Sequence, residues 1–163
     1  MYYVHMAFDS SYLDETNWKI IAELQQNGRV SFAELGRRVG LTLPAVAERV
    51  RKMEDAGVIT GVHAEIDLAK IGLPIAALIR ISVVGDVLTR LNKTVRDMPE
   101  VLECYRGTGA DSFTLKVAAE SIEHLESVID KLAPFGTTST SIILSTLVRH
   151  RVLTRRVVST RKK

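Results

Sequence analysis

From Asp14 onward the apolar residues fall at helical spacing. In DETNWKIIAELQQNG, Ile20, Ile21 and Leu24 share one helical face with Trp18 beside them, and Gly28 is placed to end the helix. A second helix follows. Ser31 stands three residues before Glu34, a capping box whose hydroxyl and carboxylate satisfy free amides, and Leu35 and Val39 lie four apart before Gly40. Thr42 is positioned to cap a third helix, Pro44 suits its first turn, and Val46, Val50 and Met53 recur at i, i+4 and i+7 before Gly57. The turn of Gly40, Leu41 and Thr42 forces the two helices to cross steeply, and Gly36 removes a side chain where the crossing helix comes closest. This pattern predicts a helix-turn-helix over residues 12–60. The preceding stretch, MYYVHMAFDSSY, has no steady period and reads as an irregular arm.

VITGVHAEIDLAKIG alternates briefly and is followed by Pro74, which marks residues 61–73 as an extended connector with its boundary near Gly72. Beyond it, PIAALIRISVV reads as a strand and VLTRLNKTVRDM as a helix with Leu88, Leu91, Val95 and Met98 on one face. VLECYRGT and DSFTLKVAA are two more strands. SIEHLESVIDKL is a second helix with Ile122, Leu125, Ile129 and Leu132 in line, and TTSTSIILSTLVRH is a last strand rich in β-branched residues. The order is βαββαβ, a ferredoxin-like domain over residues 74–150, with a basic tail at 151–163; the fold class is α+β. Both helices cover one face of the sheet. The first strand, however, has Ala76, Leu78 and Val84 opposite its main apolar row, and the last strand has Ile143 and Leu147 on one side with Ile142, Leu144 and Val148 on the other. A sheet apolar on both faces predicts a sheet-to-sheet homodimer, which would present two helix-turn-helix units to a palindromic site.

Composition narrows the class. With 163 residues, 46% hydrophobic and 25% charged, the chain suits two small globular domains. The single Cys104 cannot form an intramolecular disulfide, and no Cys/His cluster has zinc spacing, so a reducing compartment without metal or cofactor is expected. The most apolar run, LPIAALIRISVVG, is short and contains Arg80, which predicts a cytoplasmic chain with no membrane partner. The net charge of +3 is concentrated: VRHRVLTRRVVSTRKK holds seven Lys/Arg and no acid. Such a tail reads either as a solvated end or as a sequence-independent phosphate contact.

With Val46, Val50 and Met53 turned inward, the third helix presents Leu43, Pro44, Ala45, Ala47, Glu48, Arg49, Arg51 and Lys52 outward or at its flanks. Small and apolar residues at the leading end permit close approach to a major groove, Arg49 and Arg51 have the reach for phosphates or guanine edges, and Glu48 can accept from cytosine N4. Ser31, Arg38 and Thr42 complete the predicted DNA-binding set. The same charges also fit a solvated helix, with Glu48 and Lys52 as an i,i+4 pair. The caps, the short turn and the free face together favour double-stranded DNA.

ECYRGTGADSFTLKV holds the hairpin between the second and third strands. Gly107 and Gly109 free its amides to hold a carboxylate, with Asp111 facing an ammonium, the two ends of an amino acid. The same residues are common in plain turns, and on residue chemistry alone the plain turn is favoured. His5, His63, His124 and His150 are scattered, Cys104 has no histidine near it in sequence, and no phosphate-cradling loop occurs, so no catalytic residues are assigned and an enzyme is not expected. An architectural protein that coats DNA with little sequence preference is the main alternative to a sequence-specific regulator.

The stretch from Leu13 to Gly61 resembles the DNA-binding domain of the Lrp/AsnC, or feast/famine, transcriptional regulators, most specifically in LQQNGR, ELGRRVGL, AERVRKMEDAGVI and ITGVHAEIDLAKIG. It departs at Asn17, where the family usually has Asp, and at Gly36, where Ala is common; both are expected to lie off the reading face. The second half resembles the family's ligand-sensing domain. That resemblance implies an amino-acid effector at the hairpin, between neighbouring dimers of a larger ring, and a regulator whose assembly or DNA binding the effector modulates. Where the family commonly shows Gly-x-x-Asp, this chain has Gly109, Ala110, Asp111 and Ser112, so its Asp falls one place early and Ser112 takes the expected site. A related TG-x-D-S pattern occurs in the family. The effector-binding residues implied are Tyr105, Thr108, Gly109, Asp111 and Ser112.

Overall fold

Asp14 starts the first helix by accepting the amide of Asn17 at 2.7 Å, and α1 runs Glu15–Gln26. The computed structural model describes residues 13–157, so the predicted N-terminal arm and the last residues of the basic tail lie outside the described residues. α2 (Phe32–Val39) begins at Ser31, whose hydroxyl accepts the Glu34 amide at 3.2 Å, and α3 (Leu43–Asp55) begins at Thr42. Two caps differ from expectation. Glu34 does not close the box, because its carboxylate turns instead to Arg37 and Arg38. The Thr42 hydroxyl makes no capping bond, and one of the two amides within its reach is missing, since Pro44 occupies the second helical position.

Ile20, Leu35, Val46, Val50 and Met53 form the buried centre of this three-helix unit, with Ile21, Leu24 and Val39 packed partly against it. Each fully buried aliphatic contributes about 1.5–3 kcal/mol, so this small core holds α3's inner face in place. Gly36 is needed for the turn and not for the crossing helix: a Cβ there would lie 2.6 Å from the Leu41 carbonyl oxygen. The Leu41 amide in turn donates to the Gly36 carbonyl at 2.8 Å, while Gly40 takes a left-handed φ of 73° to end α2.

The chain divides between Ala64 and Glu65, and residues 148–157 group with the helix-turn-helix unit. No strand forms over 61–67; a 3-10 turn at Ala69–Ile71 and a left-handed Gly72 lead into the second unit.

That unit contains β1 (Ile75–Val83), α4 (Leu88–Asp97), β2 (Val101–Arg106), β3 (Phe113–Ala119), α5 (Ile122–Leu132) and β4 (Gly136–Ile142). The sheet order is β2-β3-β1-β4 with antiparallel neighbours, the ferredoxin-like arrangement. Ala77, Ile79 and Ile81 of β1 and Phe113, Leu115 and Val117 of β3 face the helices, packed on Leu91, Leu125, Val128 and Leu132. In α5 the inward row uses Val128, whereas Ile122 is 47% exposed and not part of the buried face.

Two expectations about the sheet are revised. The last strand ends at Ile142, not near His150, because after Ile143 donates to Ala76 at 2.8 Å its partner β1 has run out at Ile75, preceded by Pro74. The open face is also not broadly apolar. Arg80 donates to Ser141 at 3.1 Å, and Lys116 meets Glu103 at 2.9 Å across the β2–β3 pair. Exposed apolar side chains gather instead just past β4, where Leu144 and Leu147 are each 94% exposed.

Candidate nucleic-acid interface

The burial of Val46, Val50 and Met53 turns the opposite side of α3 to solvent. Thr42, Leu43 and Pro44 are exposed at its leading end, and Ala45 and Ala47 are half-buried beside them. Apart from Leu43 these side chains are small, so the first turn can approach another surface closely.

The charged residues behave differently from expectation. Arg49 is not a free cation: its Nη1 donates to Asp14 Oδ2 at 2.7 Å and to Asn17 Oδ1 at 2.9 Å, which ties α3 to the start of α1. Asn17 therefore touches a residue assigned to DNA reading, contrary to the expectation that it lies apart from that face. An Asp at this position would give Arg49 a second full charge partner; Asn gives it a neutral acceptor. The Asn17 amide bond and then Arg49 hold the Asp14 carboxyl below its ordinary range.

Arg51 pairs with Glu48 at 2.9 Å and with Asp55 at 3.0 Å, and Lys52 reaches Glu48 at 3.5 Å. These partners lower the Glu48 carboxyl and raise Arg51, with the Glu48–Arg51 hydrogen bond the largest cause for each. All four side chains are exposed, so water screens the pairs and phosphate can compete for the cations. Arg38 bridges Glu34 and Glu23 at 2.7 Å each and links α2 to α1, and the Ser31 hydroxyl is committed to its capping bond. Sequence reasoning missed Asp14 as the anchor of Arg49, and the only signal for it was its capping position before α1.

In the second unit the β2–β3 hairpin is closed by Gly107 donating to the Ser112 carbonyl at 2.9 Å, and Gly109 adopts a φ of 106°. Thr108 and Gly109 are exposed at its tip. Asp111 faces β1: Ser82 donates to it at 3.1 Å and the Arg80 guanidinium lies 3.8 Å away. The Tyr105 hydroxyl donates to Glu103, which raises the phenol's pKa. Arg80 was not among the predicted effector residues, yet it sets the charge beside Asp111.

Residues 13–60 match the model of a winged helix-turn-helix DNA-binding domain, and residues 76–153 match that of the Lrp/AsnC ligand binding domain. Over 133 residues the chain is 38% identical to the HTH-type transcriptional regulator LrpC of Bacillus subtilis, a match covering 82% of this chain and 92% of that protein. The chain belongs to the Lrp/AsnC family. The solved structure of Bacillus subtilis LrpC aligns with a TM-score of 0.80 at 37% identity, covering 83% of this chain and 97% of that one. A transcriptional regulator of Neisseria meningitidis, solved as a complex with L-Met, aligns with a TM-score of 0.82 at 28% identity, covering 90% of this chain and 99% of that one. The protein is thus a sequence-specific transcriptional regulator of Lrp/AsnC type, and its relatives are named as regulators and not as enzymes. Among the described residues, no helix is long and apolar enough to cross a membrane.

Proposed function

We propose that two subunits pair and lay their α3 helices into major grooves of double-stranded DNA, and that an amino-acid effector at the β2–β3 hairpin changes how such pairs assemble. The observation that carries the DNA reading is the exposed leading end of α3, Thr42 to Pro44 with Ala45 and Ala47 half-buried beside it, fixed from behind by the buried Val46, Val50 and Met53. Base contacts come from this end, and Glu48, Arg51 and Lys52 exchange their mutual pairs for bases and phosphates on docking. Ser31 and Arg38 flank the groove from α2. Arg49 acts as a positioning residue that sets the pitch of α3 through Asp14 and Asn17.

Pairing is supported by Leu144 and Leu147, whose near-complete exposure is expensive in water and is relieved by a second copy. Tyr105, Thr108, Gly109, Asp111 and Ser112, with Arg80 beside them, offer amides, hydroxyls and both signs of charge to a zwitterion. The L-Met complex of the neisserial relative supports that ligand class. The working place is the cytoplasm, where the DNA lies.

The test is fluorescence anisotropy of the duplex upstream of the chain's own gene against a scrambled duplex, at several salt concentrations. A regulator prefers the upstream duplex by about 10³-fold or more, whereas equal affinities with equally steep salt dependence overturn sequence reading. For the effector, thermal shifts against the proteinogenic amino acids are expected to single out one or a few, and Asp111→Ala to abolish the shift.

A further inference from the structure

The helix-turn-helix body is electrically balanced. Over 13–64 the chain carries Lys19, Arg29, Arg37, Arg38, Arg49, Arg51 and Lys52 against Asp14, Glu15, Glu23, Glu34, Glu48, Glu54 and Asp55. All of these cations except Arg29 sit in ion pairs inside the unit: Lys19 with Glu15, Arg37 and Arg38 with Glu34, Arg49 with Asp14, and Arg51 and Lys52 with Glu48. Duplex DNA presents about one negative charge per 1.7 Å of axis, and a neutral body gains little net attraction from it.

The missing charge lies at the other end of the sequence. From Val148 the chain holds seven Lys/Arg and no acid, and its described part, 148–157, groups with the helix-turn-helix unit. A clasp holds it there: Gln25 Nε2 donates to the Leu153 carbonyl at 3.0 Å, and Gln25 Oε1 accepts the Leu153 amide at 2.8 Å. Gln25 sits in the last turn of α1, which has no basic residue of its own. Arg151, Arg155 and Arg156 are exposed on either side of the clasp, and the match to the family's ligand-binding domain ends at residue 153.

We infer that the basic C-terminal segment is a second DNA-contacting element of the helix-turn-helix unit, clasped to α1 by Gln25 and supplying the net positive charge that the neutral body lacks. The inference rests on the DNA-binding reading above. The two elements divide the work: α3 reads bases, and the clasped arginines hold the backbone without regard to sequence.

The experiment compares the full chain with its Arg151→Gln/Arg155→Gln/Arg156→Gln variant on a duplex the chain selects from a random library and on a scrambled one, from about 50 to 200 mM salt. Each lost phosphate contact removes about 0.9 from the slope of log affinity against log salt, so with two subunits on the duplex the slope is expected to fall by about 5.4, or about 2.7 per subunit, on both duplexes with their affinity ratio unchanged. The corresponding triple Lys variant is expected to restore the slope, which a packing role for the guanidiniums would not do. An unchanged slope in the Gln variant overturns the inference, as does a change confined to the affinity ratio. Failure of the unsubstituted chain to bind either duplex overturns instead the DNA reading beneath it.

Discussion

One Asp14 carboxylate joins two helices: its Oδ1 caps α1 through the Asn17 amide, and its Oδ2 holds Arg49 of α3 at 2.7 Å. Asp14→Ala is therefore expected to destabilise the helix-turn-helix unit by about 1–2 kcal/mol, in the range of a lost helix cap. Urea unfolding followed by the single tryptophan, Trp18 on α1, reads this directly. Because the folded carboxyl is held below its ordinary value, its stabilisation is present above about pH 4 and fades as pH falls through the folded value. Asp14→Asn should flatten that acid limb.

Arg51 and Arg49 are predicted to separate stability from binding. The ion pairs of Arg51 are exposed, so Arg51→Ala should leave stability nearly unchanged. It should nonetheless weaken DNA binding by about tenfold on an anisotropy titration. Arg49→Ala should instead lower both. Intact binding in the Arg51 variant would remove that side chain from the interface.

Glu100 anchors the second unit. Its side chain is 8% exposed, and Oε1 takes Lys131 Nζ at 2.8 Å and His124 Nε2 at 3.4 Å; with the Lys131 bond the largest cause, its pKa is lowered to about 2. A depressed carboxyl stabilises the fold above its unfolded value near 4.5 and loses that contribution as pH falls toward 2. Glu100→Gln is expected to cost about 1–3 kcal/mol near neutral pH and to shrink the difference from the parent at low pH. Thermal melts from about pH 2 to 7 test the sign, and a gap that widens on acidification would refute it.

Gly136 starts β4 with a φ of 154°, and a Cβ there would lie 2.1 Å from the Ser82 carbonyl oxygen. That contact is with backbone and cannot be relieved by a rotamer change. Gly136→Ala should destabilise the sheet by about 2 kcal/mol or more, measured as a lower denaturation midpoint with an unchanged m-value.

Local signals in the sequence reached far into this fold. The cap at Ser31, the i, i+4, i+7 row of α3 and the strand–helix alternation after Pro74 are short-range properties, and the elements formed where they point. The misses depended on partners distant in sequence. Residues 143–148 have strand composition, but a strand needs a neighbour, and β1 ends beside Ile142 and Ile143. Arg49 looks free until Asp14, 35 positions earlier, folds against it. Ile122 continues the apolar period of α5, yet at the helix's first position it projects past the sheet. In the β2–β3 hairpin, the spacing pointed to Asp111, but the cation that shares its surroundings, Arg80, comes from another strand.

The clasp between Gln25 and Leu153 spans 128 positions of sequence. On the ribosome α1, α2 and α3 emerge first and can collapse around Ile20 and Met53 well before Leu153 exists. The whole ferredoxin-like domain is thus an insertion within the helix-turn-helix unit, and the nascent three-helix body carries no net charge until synthesis has passed through that insertion.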